Sequence, residues 1–323
     1  TDTDLLRSSV LVCGCGGGSA IAAWLPAVLG RAHRLVLDAD AINAIATDTG
    51  LHTLLLRRRA RGWITVITPH PLEAARLLGS TTPGVMKDRL ACAQQLALML
   101  EAAGLPAGVL HVLPGAAEAG EALVTDPNVT MISFTGSTAV GRRVGELAGK
   151  HLKKVALELG GKNSLIILDD ADLEMAICGG SWASWLHQGQ ICMSAGRHLV
   201  HRNLYETYAN RMAEKAKALP VGDPHTQPVA LGPIITAAQV QRVDRIVQES
   251  IRMGARLLSG GTPNGRFYPA TVLSEVTPEM PVFREEIFGP VVAITAFDSD
   301  SQAVALANDS EYGLSAGIHI RDI

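Results

Sequence analysis

The sequence predicts an α/β protein assembled on parallel sheets, and three observations carry that expectation. Short apolar runs alternate with longer stretches rich in alanine and leucine, the grammar of β-α-β units. Glycine is frequent, 32 of 323 residues, which suits loops that approach a ligand closely. Polar clusters sit just after several of the apolar runs, where open parallel sheets bind their ligands.

Bulk composition narrows the function classes. With 47% hydrophobic and 18% charged residues the chain can bury a substantial core, and its length suits about two compact units. A net charge of −3 gives no broad basic field, so nucleic acid is not an expected partner. The most apolar stretch, Leu96 to Val112, is interrupted by Glu101, Pro106 and His111, so no membrane span is expected. The chain starts Thr1-Asp2-Thr3-Asp4 without a basic segment leading into an apolar one, so no signal peptide is read. Cysteines at 13, 15, 92, 178 and 192 have no disulfide-framework spacing. A reducing, cytoplasmic setting is expected.

The elements follow in order. Ser9 to Val12 reads as a strand, Cys13 to Ser19 as a glycine loop, Ala20 to Leu29 as a helix and Arg34 to Leu37 as a second strand that ends in Asp38-Ala39-Asp40-Ala41-Ile42-Asn43. Trp63 to Ile67 is a third strand entering Thr68-Pro69-His70-Pro71-Leu72-Glu73. A helix over 84–103 and a strand over Leu110 to Leu113 come next. Glu118 to Thr125 is helical, Val129 to Phe134 a strand, Arg142 to Ala148 a helix, Lys154 to Leu159 extended and Leu165 to Leu168 a strand. Asp172 to Leu186 is a helix with the Asp169-Asp170 run as its cap. A long helix near Ala237 to Met253, a strand at Ala255 to Leu258 and extended segments at Pro269 to Leu273 and Val291 to Phe297 complete the pattern. No internal repeat or low-complexity tract interrupts it.

Four fragments carry candidate chemistry, and each has an ordinary structural reading beside the functional one. Phe134-Thr135-Gly136-Ser137-Thr138-Ala139-Val140-Gly141 takes a strand into a helix through glycine, where backbone N–H groups and the helix dipole can hold a pyrophosphate; a plain glycine turn is the alternative. Leu157-Glu158-Leu159-Gly160-Gly161-Lys162-Asn163 puts a carboxylate at a strand end, either a base for water or a surface turn residue. Gln188-Gly189-Gln190-Ile191-Cys192 puts a thiol just past a helix, either a nucleophile or inert packing. Glu285-Glu286-Ile287-Phe288-Gly289-Pro290 adds a carboxylate and an aromatic before a Gly-Pro turn. Trp182 and Trp185 line a substrate tunnel or belong to the core. Cys92 and Cys178 sit on helices as core residues, Cys13-Gly14-Cys15 lacks the second ligand pair a metal site needs, and His70 reads as a turn residue. No metal is expected.

In this order the four fragments, with Asp126-Pro127, Val221-Gly222-Asp223-Pro224, Leu231-Gly232-Pro233 and Tyr312-Gly313-Leu314, resemble the aldehyde dehydrogenase superfamily over about two thirds of the chain. The resemblance implies Cys192 as nucleophile and Glu158 as general base, 34 residues apart. It implies Gly136, Ser137 and Gly141 as the phosphate loop and Glu286 with Phe288 at the nicotinamide ribose of NAD or NADP. The phrasing from Leu186 to Cys192 is most similar to the branch that oxidises aromatic aldehydes such as benzaldehyde and vanillin. A small-molecule aldehyde is the implied substrate, and a homo-oligomer the implied state, although the usual oligomerisation segment is missing. The family's Trp-Asn motif, whose Asn helps form the oxyanion hole, and its Lys-Pro-x-Glu motif have no counterpart. The loss of one oxyanion donor implies a deficit of about 10²- to 10³-fold.

The preceding residues resemble a different family, the ribokinase-like ADP- or ATP-dependent NAD(P)H-hydrate dehydratases, through Val12 to Gly18, Leu35 to Asn43, Ile67 to Gly79 and Lys87 to Leu96. That family's Gly-Thr-Gly-Asp motif is absent, which implies no repair activity. The expected organisation is therefore a ribokinase-like α/β fragment over 1–97, part of an NAD-binding domain with Rossmann-like parallel sheet over 98–158, and an aldehyde dehydrogenase catalytic domain over 159–323, truncated at its C-terminus. The joint falls near Gln95 to Leu98, inside one expected helix, as in a chimeric sequence. The two rival readings are a hydrate dehydratase-like repair protein and an inactive nucleotide-binding fusion.

Overall fold

The structure, a computed structural model, describes residues 10–14, 18–67, 71–81, 88, 91–92, 94–95, 98, 111, 113 and 115–321. The expected helix over 84–103 and strand at Leu110 to Leu113 fall largely outside these residues, as do Cys15, His70 and the centre of the joint at 96–97. The chain forms two compact units, residues 1–122 and 123–323.

In the first unit, strands β1 (Val10–Cys13), β2 (Arg34–Leu37) and β3 (Ile64–Ile67) pair in parallel in the order β1-β2-β3. Helices α1 (Ile21–Arg31), α2 (Ala39–Thr47), α3 (Thr49–Ala60) and α4 (Pro71–Leu77) accompany them. Leu25, Leu29, Leu35, Leu37, Ile42 and Ile45 form the core, the buried stripe of helices set against strands buried in a parallel sheet. Gly14, at φ +128°, lies so close to the Asp38 carbonyl that any Cβ would collide with it, so only glycine fits. Arg58, 1% exposed, donates to the carbonyls of Leu29 and Ala32 at 3.0 and 2.6 Å and to Thr65 Oγ1 at 2.8 Å.

In the second unit, after α5 (Ala117–Thr125), two sheets appear. Strands β4 (Met131–Thr135) and β5 (Lys154–Glu158) pair in parallel, with Thr135 opposite Glu158, and α6 (Thr138–Lys150) connects them. A six-stranded sheet has the order β11-β6-β7-β10-β9-β8. Its strands are β6 (Ser164–Ile167), β7 (Arg197–His201), β8 (Arg256–Ser259), β9 (Thr271–Ser274), β10 (Val291–Phe297) and β11 (Ala316–His319). All its pairings are parallel except β8 with β9.

Helices α7 (Leu173–Trp185), α8 (Arg202–Ala218), α9 (Ala237–Arg252), α10 (Pro281–Arg284) and α11 (Asp300–Asn308) complete this unit. Side chains alternate across the sheet: Val200, Val272, Val292 and Ile294 join α7 and α8 in one core, whereas Leu199, Leu273, Val291 and Ala293 join α9 in another. Burial on both faces explains why β10 reads as an uninterrupted apolar run.

Several expectations need correction. The N-cap of α7 is Asp172, whose carboxylate accepts from Met175 N–H at 3.1 Å, rather than the Asp169-Asp170 run. Cys178 is exposed on α7 instead of core, with its sulfur 3.3 Å from Lys215 Nζ. Trp182 and Trp185 separate despite lying near each other on the helix: Trp185 is 3% exposed and Trp182 63%. Strand β7, helix α8 and strand β11 were not anticipated. Among the described residues no helix is long and apolar enough to cross a membrane, and no cluster of three or more His, Cys, Asp or Glu residues could hold a metal ion.

Candidate active site

The glycine turn between β4 and α6 is built as the sequence suggests. Gly136 N–H donates to the Glu158 carbonyl at 3.0 Å, which extends the β4–β5 pairing to the strand ends. Gly136 packs against the Phe134 ring where a Cβ would collide. Ser137 is the N-cap of α6, its hydroxyl accepting from Val140 N–H at 3.4 Å. The first N–H groups of the helix, at Thr138 and Ala139, have no partner within the helix and carry the positive end of its dipole. The Thr138 hydroxyl beside them is buried without a partner. Gly141 takes the Leu159 side chain where a Cβ would collide, so β5 and α6 close tightly together.

Glu158 ends β5 with its side chain exposed. The next residues, Gly160 to Asn163, form the junction of the site. A Cβ at Gly160 would collide with the Glu286 carboxylate, and Gly161 N–H donates to Glu286 Oε1 at 3.2 Å. Glu286 is half-buried; burial raises its carboxyl above the ordinary range, and the Gly161 N–H, Arg242 and Lys162 pull the other way. Helix α9 fixes the loop that follows: Gln239 Nε2 donates to the carbonyls of Ile287 and Phe288 at 2.9 and 3.0 Å. Phe288 has φ +53°, the left-handed region that costs a bulky residue energy and persists where neighbours enforce it.

The cysteine is carried by a loop with its own constraint. After α7 the chain passes through three successive left-handed residues, His187 at φ +50°, Gln188 at +60° and Gly189 at +66°. Gly189 lies against Gly289, so a Cβ at 189 would collide with the Gly289 carbonyl. Cys192 is exposed, and its backbone is anchored by Asn163. The Asn163 Nδ2 group donates to the carbonyls of Cys192 and Ser194 at 2.9 and 3.0 Å, and its Oδ1 accepts from Ser315 N–H at 3.0 Å.

Structure thus brings the Cys192 loop, the Glu286–Phe288 loop and the residues just past Glu158 to one cleft, lined by Gly161, Lys162, Gly189, Ile191, Ser194, Glu286 and Phe288. Neither Glu158 nor Cys192 is among the residues that line it; their segments approach at Gly161, where an added Cβ would come 3.0 Å from the Cys192 carbonyl oxygen.

Two residues of the site had no role in the sequence reading. Asn163 lay inside a recognised fragment, but its partners are up to 152 residues away and leave no local signal. Lys162 is 2% exposed with an unpartnered Nζ. Burial, with the charge of Arg197, lowers its pKa to about 7.

An α/β protein whose cysteine-bearing and glutamate-bearing loops meet at one cleft, beside a glycine turn that opens a helix, is the class that fold and site define. The chain belongs to the aldehyde dehydrogenase family, whose model matches residues 38–323. It is 58% identical over 219 residues to the benzaldehyde dehydrogenase [NAD(+)] of Pseudomonas putida, covering 68% of this chain and 45% of that protein. Identity to the vanillin dehydrogenase of an Amycolatopsis species is 55% over 228 residues, covering 71% and 47%. The structure of Mycobacterium tuberculosis aldehyde dehydrogenase complexed with NAD+ superposes with a TM-score of 0.69 at 38% identity, covering 78% of this chain and 53% of that one. The chain therefore spans about half the length of the relatives it matches. The family match also starts well before residue 98, inside the segment that resembled a ribokinase-like fragment.

Proposed function

We propose that the chain oxidises an aromatic aldehyde to its acid with NAD or NADP, through a thioester on Cys192. The observation that carries this reading is the junction from Gly160 to Asn163, which ties the Cys192 backbone and the Glu286 carboxylate to the strand end bearing Glu158. The relatives named for benzaldehyde and vanillin support the substrate class.

The residues present fit a nicotinamide dinucleotide. Gly136, Ser137 and Gly141 shape a helix N-terminus whose free N–H groups, with the unpartnered Thr138 hydroxyl, suit a pyrophosphate, and Glu286 with Phe288 would take the nicotinamide ribose. When bound, the cofactor supplies a hydride acceptor. Cys192 supplies the nucleophile: its thiolate adds to the aldehyde carbon, and loss of hydride from that carbon leaves a thioester. Glu158 then takes a proton from water, whose oxygen attacks the thioester carbon and releases the acid and the Cys192 thiolate. The reading places the protein in a reducing cytoplasm, where a free thiol persists, and within a homo-oligomer. The site roles and the domain limits at 98 and 159 belong to this reading, and a ribokinase-like origin is kept only for the residues ahead of the family match, which starts at 38.

The test is reduction of NAD or NADP with benzaldehyde and vanillin. Cys192→Ala should abolish turnover, and Glu158→Gln should stall with an acyl group on Cys192, visible by mass spectrometry. Turnover that survives Cys192→Ala sinks the reading. Retained NAD binding with no turnover in the parent chain would favour an inactive nucleotide-binding protein.

A further inference from the structure

We propose that His198, held between Tyr208 and Ser184, is the positioning residue that sets the backbone of the Cys192 loop. Nothing in the reaction described above uses His198, which lies on β7 and is fully buried. Both its ring nitrogens are engaged. Nδ1 is 2.8 Å from the Tyr208 hydroxyl and Nε2 is 2.8 Å from Ser184 Oγ. Ser184 Oγ in turn donates to the Ala195 carbonyl at 2.7 Å, three residues past Cys192.

Proton bookkeeping gives this chain a single direction. The one hydroxyl hydrogen of Ser184 is committed to the Ala195 carbonyl, so Ser184 Oγ must accept from Nε2–H. Nδ1 is then bare and accepts from the Tyr208 hydroxyl. The relay runs from Tyr208 on α8 through His198 on β7 and Ser184 on α7 to the loop, and every member is satisfied only with a neutral imidazole. Burial enforces that state, holding the His198 pKa near 3. The same loop is laced to α7 by Ala195 N–H donating to the Ala183 carbonyl at 3.0 Å and by Ser194 Oγ at 3.3 Å from the carbonyls of Ala183 and Ser184.

A second, independent observation shows that the arrangement is built. Gly180, one turn before Ser184 on α7, leaves the space in which the relay sits: a Cβ there would collide with the Tyr208 hydroxyl and come 3.0 Å from His198 Cε1. A helix-interior glycine costs roughly 0.5–1 kcal/mol relative to alanine, and here it admits the polar pair. Asn163 holds the Cys192 and Ser194 carbonyls from one side, and the relay holds the Ala195 carbonyl from α7. The catalytic consequence rests on the reading of Cys192 as nucleophile, whereas the positioning itself does not.

The experiment compares His198→Leu, Ser184→Ala and His198→Gln in the full chain by hydrogen exchange of the 190–196 segment and by the rate at which iodoacetamide alkylates Cys192. Gln can donate its amide N–H to Ser184 and accept from Tyr208, so it is the conservative variant. Loss of one buried hydrogen bond should speed exchange in 190–196 by about tenfold in the Leu and Ala variants, with a several-fold change in alkylation rate, and Gln should restore both. Exchange and alkylation within about twofold of the parent in both Leu and Ala variants, whatever happens to melting temperature, would reduce His198 to core packing and overturn the proposal. Failure of Gln to restore either readout would also overturn it. If His198→Leu does not fold, Ser184→Ala and Gly180→Ala carry the same comparison. A parent without aldehyde turnover would sink the functional reading and leave these readouts intact.

Discussion

The side-chain amide of Asn163 donates to the carbonyl of Cys192 at 2.9 Å while its oxygen accepts from Ser315 N–H at 3.0 Å. One residue, 4% exposed, thereby joins the segment after Glu158, the thiol loop and the chain leading into β11. Asn163→Ala should cost about 2–4 kcal/mol, because it leaves partly buried carbonyls and an N–H without partners. Asn163→Asp should be at least as damaging, since a carboxylate would face two carbonyl oxygens. Denaturant titration of both variants checks the cost; a change below about 0.5 kcal/mol would show that the amide is dispensable.

Gly160→Ala should displace the Glu286 carboxylate, which occupies the space of the missing side chain. On the proposed reading NAD affinity falls by about tenfold, the equivalent of one good hydrogen bond, while the melting temperature changes little. Calorimetric NAD titration decides it, and unaltered affinity would remove Glu286 from the cofactor contact.

Lys162 makes stability rise with pH. Its pKa is lowered from 10.5 to about 7 by burial first and by Arg197 second, so between those values the unfolded chain binds a proton that the folded chain lacks. Below pH 7 the folded state carries the full cost of an unpartnered buried ammonium; the cost disappears as pH rises toward 10.5. Lys162→Met should stabilise the protein by about a few kcal/mol at pH 6 and flatten that slope. Melting curves across this range check both effects, and a destabilised Met variant at pH 6 would refute the assignment.

His198 acts at the acid end. Its pKa is lowered from 6.5 to about 3, chiefly by burial, so the unfolded chain takes up a proton first. Stability therefore drains away as pH falls through that window. His198→Gln should remove this component of the acid limb, measured as the difference in denaturation midpoints between pH 7 and pH 4.

Arg197→Lys should cost about 3 kcal/mol. The Arg197 guanidinium is 2% exposed. It donates to Lys162 O at 3.1 Å, Leu306 O at 3.0 Å, Ala307 O at 2.9 Å and Asp309 O at 3.3 Å, closing the last turn of α11. Three donors on a flexible ammonium cannot reproduce that fork, and denaturant midpoints of the two proteins measure the difference.

Sequence pattern revealed elements that carry their signal locally. Strands Arg34–Leu37 and Val291–Phe297 match their expected limits, and α9 differs by one residue because Val240, Val243 and Val247 mark its buried stripe. β7 was missed because its first residues, Arg197 and His198, look like surface residues, whereas the groups that satisfy them lie on other elements. α8 was missed because its buried face is built from Tyr205, Tyr208, Ala209, Met212, Ala213 and Ala216 amid many polar residues. Glu158, Cys192 and Glu286 were legible as motif members. The anchoring roles of Asn163 and His198 were not, because each depends on distant partners, and the burial of Lys162 was not, because distant elements create it. Cys178 was misplaced because helix membership alone does not say which face turns outward.

The contact of Gly189 with Gly289 makes two distant stretches of chain a single heritable unit. Exchanging the first loop with a homologue that carries a side chain at 189 would drive it into the Gly289 carbonyl and wedge the pair apart, whereas a side chain at 289 would meet Val243 instead. Crossovers anywhere between 189 and 289 should therefore yield working hybrids only when the parent that supplies position 189 keeps bare backbone there.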